Sequence, residues 1–365
     1  MLSVAHVLLR LFPLPRDPPP GHRRRGGGPA ASAGAAVLVS GELRVVAFGG
    51  GTGLPVLLRG LRDTVREGIT AVVTVTDDGG SSGRLRQELG VAPPGDVRNC
   101  LVALAGRRRL AEVFDYRFEG GGDLRDHAVG NIIIAALTDI SGGFFEGVQR
   151  AARLLRITGS VYPAATESLT LIVHYADGTV TRGEGAMHEV GPAIVKVAVE
   201  PEGAAAPSEV IRAIHAADVV VLGPGSLFTS TVPALLGRGV REALRTFTGP
   251  VVYAANLMTQ PGETTGFTVS DHLRAIAEHT GTVITDVLVP SERLPDPALS
   301  RYRAEGATPV EIDREEIERL GIRIRQARLL SETMSAEIRH DPERLARAIR
   351  EVARLARRQA VDSPA

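Results

Sequence analysis

Tryptophan is absent from this 365-residue chain, aromatic residues make up only 4% of it, and lysine occurs once, at Lys196. The shortage of aromatics removes the stacking platforms that single-stranded nucleic acids need. The missing lysines exclude a Walker A mechanism, whose glycine-rich loop ends in a phosphate-binding lysine. Cysteine also occurs once, as Cys100, so an internal disulfide and a thiolate metal cluster are excluded and a reducing, cytoplasmic compartment is expected. Neither sign of charge is in excess, with 42 basic and 42 acidic residues. No global field therefore favours nucleic acid or an anionic membrane, and Arg23–Arg25 and Arg107–Arg109 read as solvated clusters. No apolar stretch approaches the roughly 20 residues of a membrane span.

Residues 1–40 are poor in core formers. They carry Pro15 to Pro20 and Gly26-Gly27-Gly28, and Arg10 interrupts the apolar run Val4–Leu14. A signal peptide places its charge ahead of the apolar segment, so this stretch reads as a disordered tail or a mis-assigned start.

What the chain has is glycine in telling places. Val45-Val46-Ala47-Phe48 runs into Gly49-Gly50-Gly51-Thr52-Gly53, and Leu54, Leu57, Leu58, Leu61 and Val65 then repeat at helical spacing. A strand that ends in glycine lets backbone approach an anion, and the next helix offers unpaired N–H groups and the positive end of its dipole. The strand-like run Ile69–Val75 completes a β-α-β unit. The third glycine of the dinucleotide fingerprint is missing, because Leu54 stands where it would fall, and this disfavours an NAD-dependent oxidoreductase.

Strand and helix patterns alternate along most of the remainder, which predicts a doubly wound, mostly parallel α/β sheet with its ligand crevice at the carboxyl ends of the strands. Leu169–Tyr175 and Thr179–Gly183, joined across Asp177-Gly178, predict a β-hairpin. Ser208–Ala217 reads as a helix, Val219–Leu222, Pro250–Asn256 and Val283–Val289 as strands, and Ser270–His279 as a helix between the last two. Gly223-Pro224-Gly225-Ser226 is a second glycine turn between strand and helix, and an amphipathic helix closes the chain from Pro342 to Arg358. These patterns divide the chain into a tail (1–40), one nucleotide-binding domain (41–340) with a hairpin insertion at about 159–200, and a C-terminal helix and tail (341–365).

Candidate chemistry gathers in the loops. Asp77 and Asp78 follow the second strand, where nucleotide folds place a carboxylate toward a ribose or a Mg²⁺-bound phosphate, and Ser81, Ser82 and Arg84 lie beside them. Asp96 reads as a helix cap, with a role for Asp96, Arg98 and Asn99 at the crevice weighed equally. His127 and Asn131 open another apolar segment, and no spacing in the chain makes a zinc site. Ser226 lacks the nucleophile-elbow spacing and reads as an N-cap and phosphate donor. Asn256, Thr259, Gln260, Gly262, Glu263 and Thr264 form a polar loop after a buried strand.

Five motifs in order carry a resemblance: Gly49-Gly50-Gly51-Thr52-Gly53-Leu54-Pro55, Asp77 to Leu85, Pro93 to Asn99, Gly223 to Leu227 and Met258 to Thr264. Over residues 43–340 the chain resembles the gluconeogenesis factor (YvcK-like) family, in one superfamily with the 2-phospho-L-lactate transferases (CofD-like). The resemblance implies a Rossmann-like fold and a cytoplasmic regulatory protein. That protein would bind a UDP-sugar such as UDP-N-acetylglucosamine and support cell shape and cell-wall precursor supply on gluconeogenic carbon sources. The alternative it implies is a Mg²⁺-dependent transferase that moves 2-phospho-L-lactate from a guanylylated donor to a deazaflavin. Matched by motif, Gly50, Gly51, Thr52 and Gly53 would hold the diphosphate, with Asp77, Asp78 and Asn131 near the phosphates or a Mg²⁺ ion. Gly225, Ser226 and Asn256 would complete the phosphate side, while Tyr302 and Arg339 would stack on a base and pair with a phosphate. A homodimer is the expected assembly; no catalytic residue is assigned.

Overall fold

A computed structural model describes residues 42–65, 68–120, 122–187, 191–331 and 337–362, so the expectation for residues 1–40 lies outside the described residues. The first unit forms as its spacing predicts. Strand β1 (Val45–Gly49) enters the glycine turn, helix α1 (Gly53–Val65) buries its leucine face, and β2 (Ile69–Val73) returns parallel to β1 with Ile69 opposite Val45. Helices α2 (Gly80–Leu89), α3 (Gly95–Leu104), α4 (Arg108–Asp115), α5 (Val129–Ser141) and α6 (Phe144–Leu155) lead to β3 (Ser160–Pro163). The antiparallel strands β4 (Thr170–Tyr175), β5 (Val180–Arg182) and β6 (Ile194–Glu200) follow. The second half runs α7 (Ser208–Ala216), β7 (Val219–Leu222), α8 (Val232–Leu235), α9 (Val240–Thr246), β8 (Val251–Ala254) and α10 (Val269–Thr280). It ends with β9 (Asp286–Pro290), α11 (Asp296–Ala304), α12 (Arg314–Arg319), β10 (Arg323–Ala327) and α13 (Pro342–Asp362).

Seven strands form one sheet in the order β10-β9-β8-β7-β1-β2-β3, and every pairing in it is parallel. Helices cover both faces. Val45 and Ala47 of β1 point into one core with Leu57, Leu61 and Leu101, and Val46 and Phe48 point into the other with Val210, Leu244 and Ile276. A strand buried on both sides has no polar alternation, which is why β1 and β7 read as continuous apolar runs. The chain builds outward from β1 through β2 to β3, then returns to start β7 on the other side of β1. Strand order therefore reverses between β1 and β7, the switch point at which doubly wound sheets open a crevice.

Two boundaries differ from expectation. β3 falls within the span expected as an insertion, yet it pairs with β2 as the edge of the main sheet. The separate piece is a three-stranded sheet, β5-β4-β6, in which the expected hairpin is joined by β6. Helix α13 buries Leu345, Ile349 and Val352 against the α1 side of the sheet. The two helices approach so closely that a Cβ on Gly60 would lie 1.8 Å from the Pro342 carbonyl oxygen.

Candidate functional site

Both glycine turns sit side by side at the switch point. The Gly49 carbonyl accepts a hydrogen bond from Thr74 N at 3.0 Å, and Gly223 N donates to the Phe48 carbonyl at 2.8 Å, so the loops after β1, β2 and β7 share one rim. Gly51 has φ +57°, a conformation that costs other residues strain. At Gly53 the constraint is space, because a Cβ there would meet the Pro224 carbonyl oxygen at 1.8 Å. Asn256, just past β8, locks the second turn by accepting from Gly225 N at 3.3 Å and donating to the Gly225 carbonyl at 2.8 Å.

These turns border a cavity of about 280 Å³. Its lining combines the polar residues Thr52, Gly53, Gly225, Ser226, Asn256 and Gln260 with the apolar side chains of Val56, Leu257, Met258, Tyr302 and Ile338, and with Arg339 and His340. The Tyr302 hydroxyl accepts from Ile338 N at 3.2 Å, which ties α11 to the segment ahead of α13. Arg339 is half-exposed and ion-pairs with Glu337. His340 is buried, its Nε2 has no partner, and burial lowers its pKa to about 4 against a backbone hydrogen bond with Ala255.

Seven of the residues expected at the site thus line one cavity: Thr52, Gly53, Gly225, Ser226, Asn256, Tyr302 and Arg339. Gly50 and Gly51 are not among its lining residues, and here the structure departs from expectation. The Gly51 amide donates to Asp96 Oδ2 at 2.6 Å, so that member of the glycine turn already holds an internal anion. Asp96 is not the helix cap; Pro94 takes that position, and Asp96 reaches back from the first turn of α3. Burial, with Asp77 acting in the same direction, raises its pKa to about 6 although the Gly51 N–H and Arg98 oppose the shift. Glu184, in the turn after β5, is pushed up to about 8 by burial and by Asp77, Asp96, Glu263 and Asp78. Nothing local in Arg182-Gly183-Glu184-Gly185 marks Glu184 as part of this wall; only the fold of the small sheet brings it there.

Asp78 Oδ1 accepts from Gly185 N at 2.7 Å, and Asp77 Oδ1 closes a turn on Gly79 N at 2.9 Å. Ser82 Oγ accepts from Gly95 N at 3.1 Å. Ser81 forms a buried cluster in which its Oγ lies 3.0 Å from His127 Nδ1 and accepts from Asn131 Nδ2 at 3.0 Å. Arg84 donates outward to the Arg125 carbonyl. Arg98 is buried and paired with Asp115 and Asn99, not open to the crevice. Asp77 and Asp78 each use one carboxylate oxygen in these contacts, and among the described residues no group of three or more His, Cys, Asp or Glu side chains is placed to hold a metal.

Ser226 is also placed differently from expectation. It precedes a π-helical turn, Leu227–Thr231, but its side chain caps nothing; its hydroxyl donates to Gln260 Oε1 at 2.7 Å. The amides it would have capped belong to Glu263, whose Oε1 accepts from Phe228 N at 3.0 Å and Thr229 N at 2.9 Å.

The sheet and its two glycine turns define a Rossmann-like α/β protein with its crevice at the β1/β7 switch point. The family model of 2-phospho-L-lactate transferase CofD matches residues 45–330, and the chain belongs to that family. It is 47% identical over 280 residues to the gluconeogenesis factor of Halalkalibacterium halodurans, covering 76% of this chain and 87% of that protein. It is 43% identical over 305 residues to the gluconeogenesis factor of Bacillus subtilis, covering 83% and 96%. A crystal structure of a Bacillus halodurans protein superposes with a TM-score of 0.82 at 43% identity, covering 85% of this chain and 99% of that one. Among the described residues no helix is long and apolar enough to cross a membrane.

Proposed function

We propose that the protein is a gluconeogenesis factor that binds a UDP-sugar, such as UDP-N-acetylglucosamine, in the crevice between β1 and β7. In this role it regulates cell morphogenesis and cell-wall precursor supply on gluconeogenic carbon sources, in the cytoplasm and as a homodimer. The observation that carries the ligand is one cavity lined both by the two glycine turns with their hydroxyls and by Tyr302, Met258 and Ile338. A flat base suits the aromatic and apolar side chains, and the diphosphate suits the Thr52-Gly53 and Gly225-Ser226 backbone. Asp96 already occupies the Gly51 amide, which leaves the phosphates to the Gly53 and Gly225-Ser226 backbone. The functional role rests on relatives that carry that name at 43% to 47% identity.

Titration calorimetry with UDP-N-acetylglucosamine, UDP-glucose and GDP tests the ligand. Binding of the two UDP-sugars, weakened about tenfold or more by Tyr302→Ala, is the expected result; this corresponds to ~1.4 kcal/mol. No heat from either UDP-sugar at millimolar concentration sinks the reading. Formation of a phospholactyl-deazaflavin product would favour the transferase reading, which the family model's name supports.

A further inference from the structure

The turn that follows Gly223-Pro224-Gly225-Ser226 is held by a side chain from another loop. Leu227–Thr231 is a single π-helical turn with all five residues buried, and such turns recur at functional positions. Its leading amides, Phe228 N and Thr229 N, both donate to Glu263 Oε1 from the loop after β8. Glu263 is 5% exposed and its Oε2 has no partner, an arrangement a purely structural carboxyl rarely keeps. Burial brings it to about 7 even with those two amides and the Ser226 and Thr229 side chains opposing the shift. The same loop carries Gln260, which receives the Ser226 hydroxyl and lines the cavity. One loop therefore grips the turn at Ser226 and again just after it.

We propose that Glu263 is the positioning residue of the crevice, holding the Phe228 and Thr229 amides so that Gly225 and Ser226 face the phosphates of a bound nucleotide. The ligand in this statement rests on the UDP-sugar reading; the ordering of the turn does not. A carboxyl that served folding alone would affect every ligand equally, whereas a positioning carboxyl affects the phosphate-bearing part.

The test compares Glu263→Ala and Glu263→Gln with the unmodified full chain, using UDP and uridine as calorimetric probes and amide hydrogen exchange of residues 225–231 without ligand. In Glu263→Ala, exchange over 225–231 should rise at least tenfold and UDP affinity should fall at least tenfold, while uridine affinity stays within about twofold. Glu263→Gln keeps an oxygen for both amides and should restore both readouts to within about threefold. Unchanged exchange in Glu263→Ala, or equal weakening of UDP and uridine, overturns the proposal. If the unmodified chain binds neither probe, the UDP-sugar reading falls, and exchange over 225–231 decides the role of Glu263 by itself. Should Glu263→Ala fail to fold, Glu263→Asp, one methylene short of the amides, is measured in its place by the same criteria.

Discussion

Asp96 shows how one residue can answer to two demands. Its carboxylate satisfies the Gly51 amide, yet it is buried beside Asp77 and its pKa rises from 3.8 to about 6. A folded-state pKa above the unfolded one means the native state binds the proton more tightly. Its contribution to stability is complete below pH 3.8 and is lost as pH rises through 6. Asp96→Asn keeps an oxygen for Gly51 and removes the charge, so it should stabilise the protein above pH 6 by on the order of 1–2 kcal/mol, with the difference vanishing below pH 4. Urea denaturation at pH 3.5, 5 and 7.5 measures this; equal midpoints at pH 7.5 would show that the site is wetter than its burial indicates. Sequence alone places Asp96 in a helix start but not against Gly51, because 45 residues separate the two and only the sheet joins them. Glu184 was invisible for the same reason, and Glu263 was legible as a crevice-loop residue without its partners.

At the level of elements, the β1-α1-β2 unit, the β4-β5 hairpin and β7 were legible because each is bounded by glycine and carries an unbroken period. β9 starts at Asp286 rather than Val283, because Val283 is exposed and Thr280 and Thr282 bond each other in a turn. β10 gave no signal: Arg323 and Arg325 interrupt any apolar run there, and both donate to the fully buried Asp286 of β9. An edge strand held by arginines lacks the apolar pattern that sequence reading depends on. Helix α10 has a cap of its own, a capping box between Thr268 and Asp271. Thr268→Ala should cost about 1 kcal/mol in thermal or chemical denaturation and leave UDP-sugar affinity unchanged, since this helix start lies outside the cavity.

On the scale of the whole molecule, the cavity is assembled from both halves of the chain. Thr52, Gly53 and Val56 come from the first βα unit, Ile338, Arg339 and His340 from the segment leading into α13. The contact that seats α13 on α1 is the Gly60–Pro342 approach, and neither residue lines the cavity. Gly60→Val should displace that contact at a cost of about 1–3 kcal/mol and also weaken UDP binding by moving residues 338–340. Differential scanning calorimetry with and without UDP reads both effects; loss of stability with intact affinity would show that the wall is held independently of the helix.

The Gly60–Pro342 seat also orders events during translation. A ribosome releases both glycine turns long before residues 338–362, so a nascent chain carries those turns without the segment that completes the cavity lining. The full cavity exists only once the closing helix has emerged and docked.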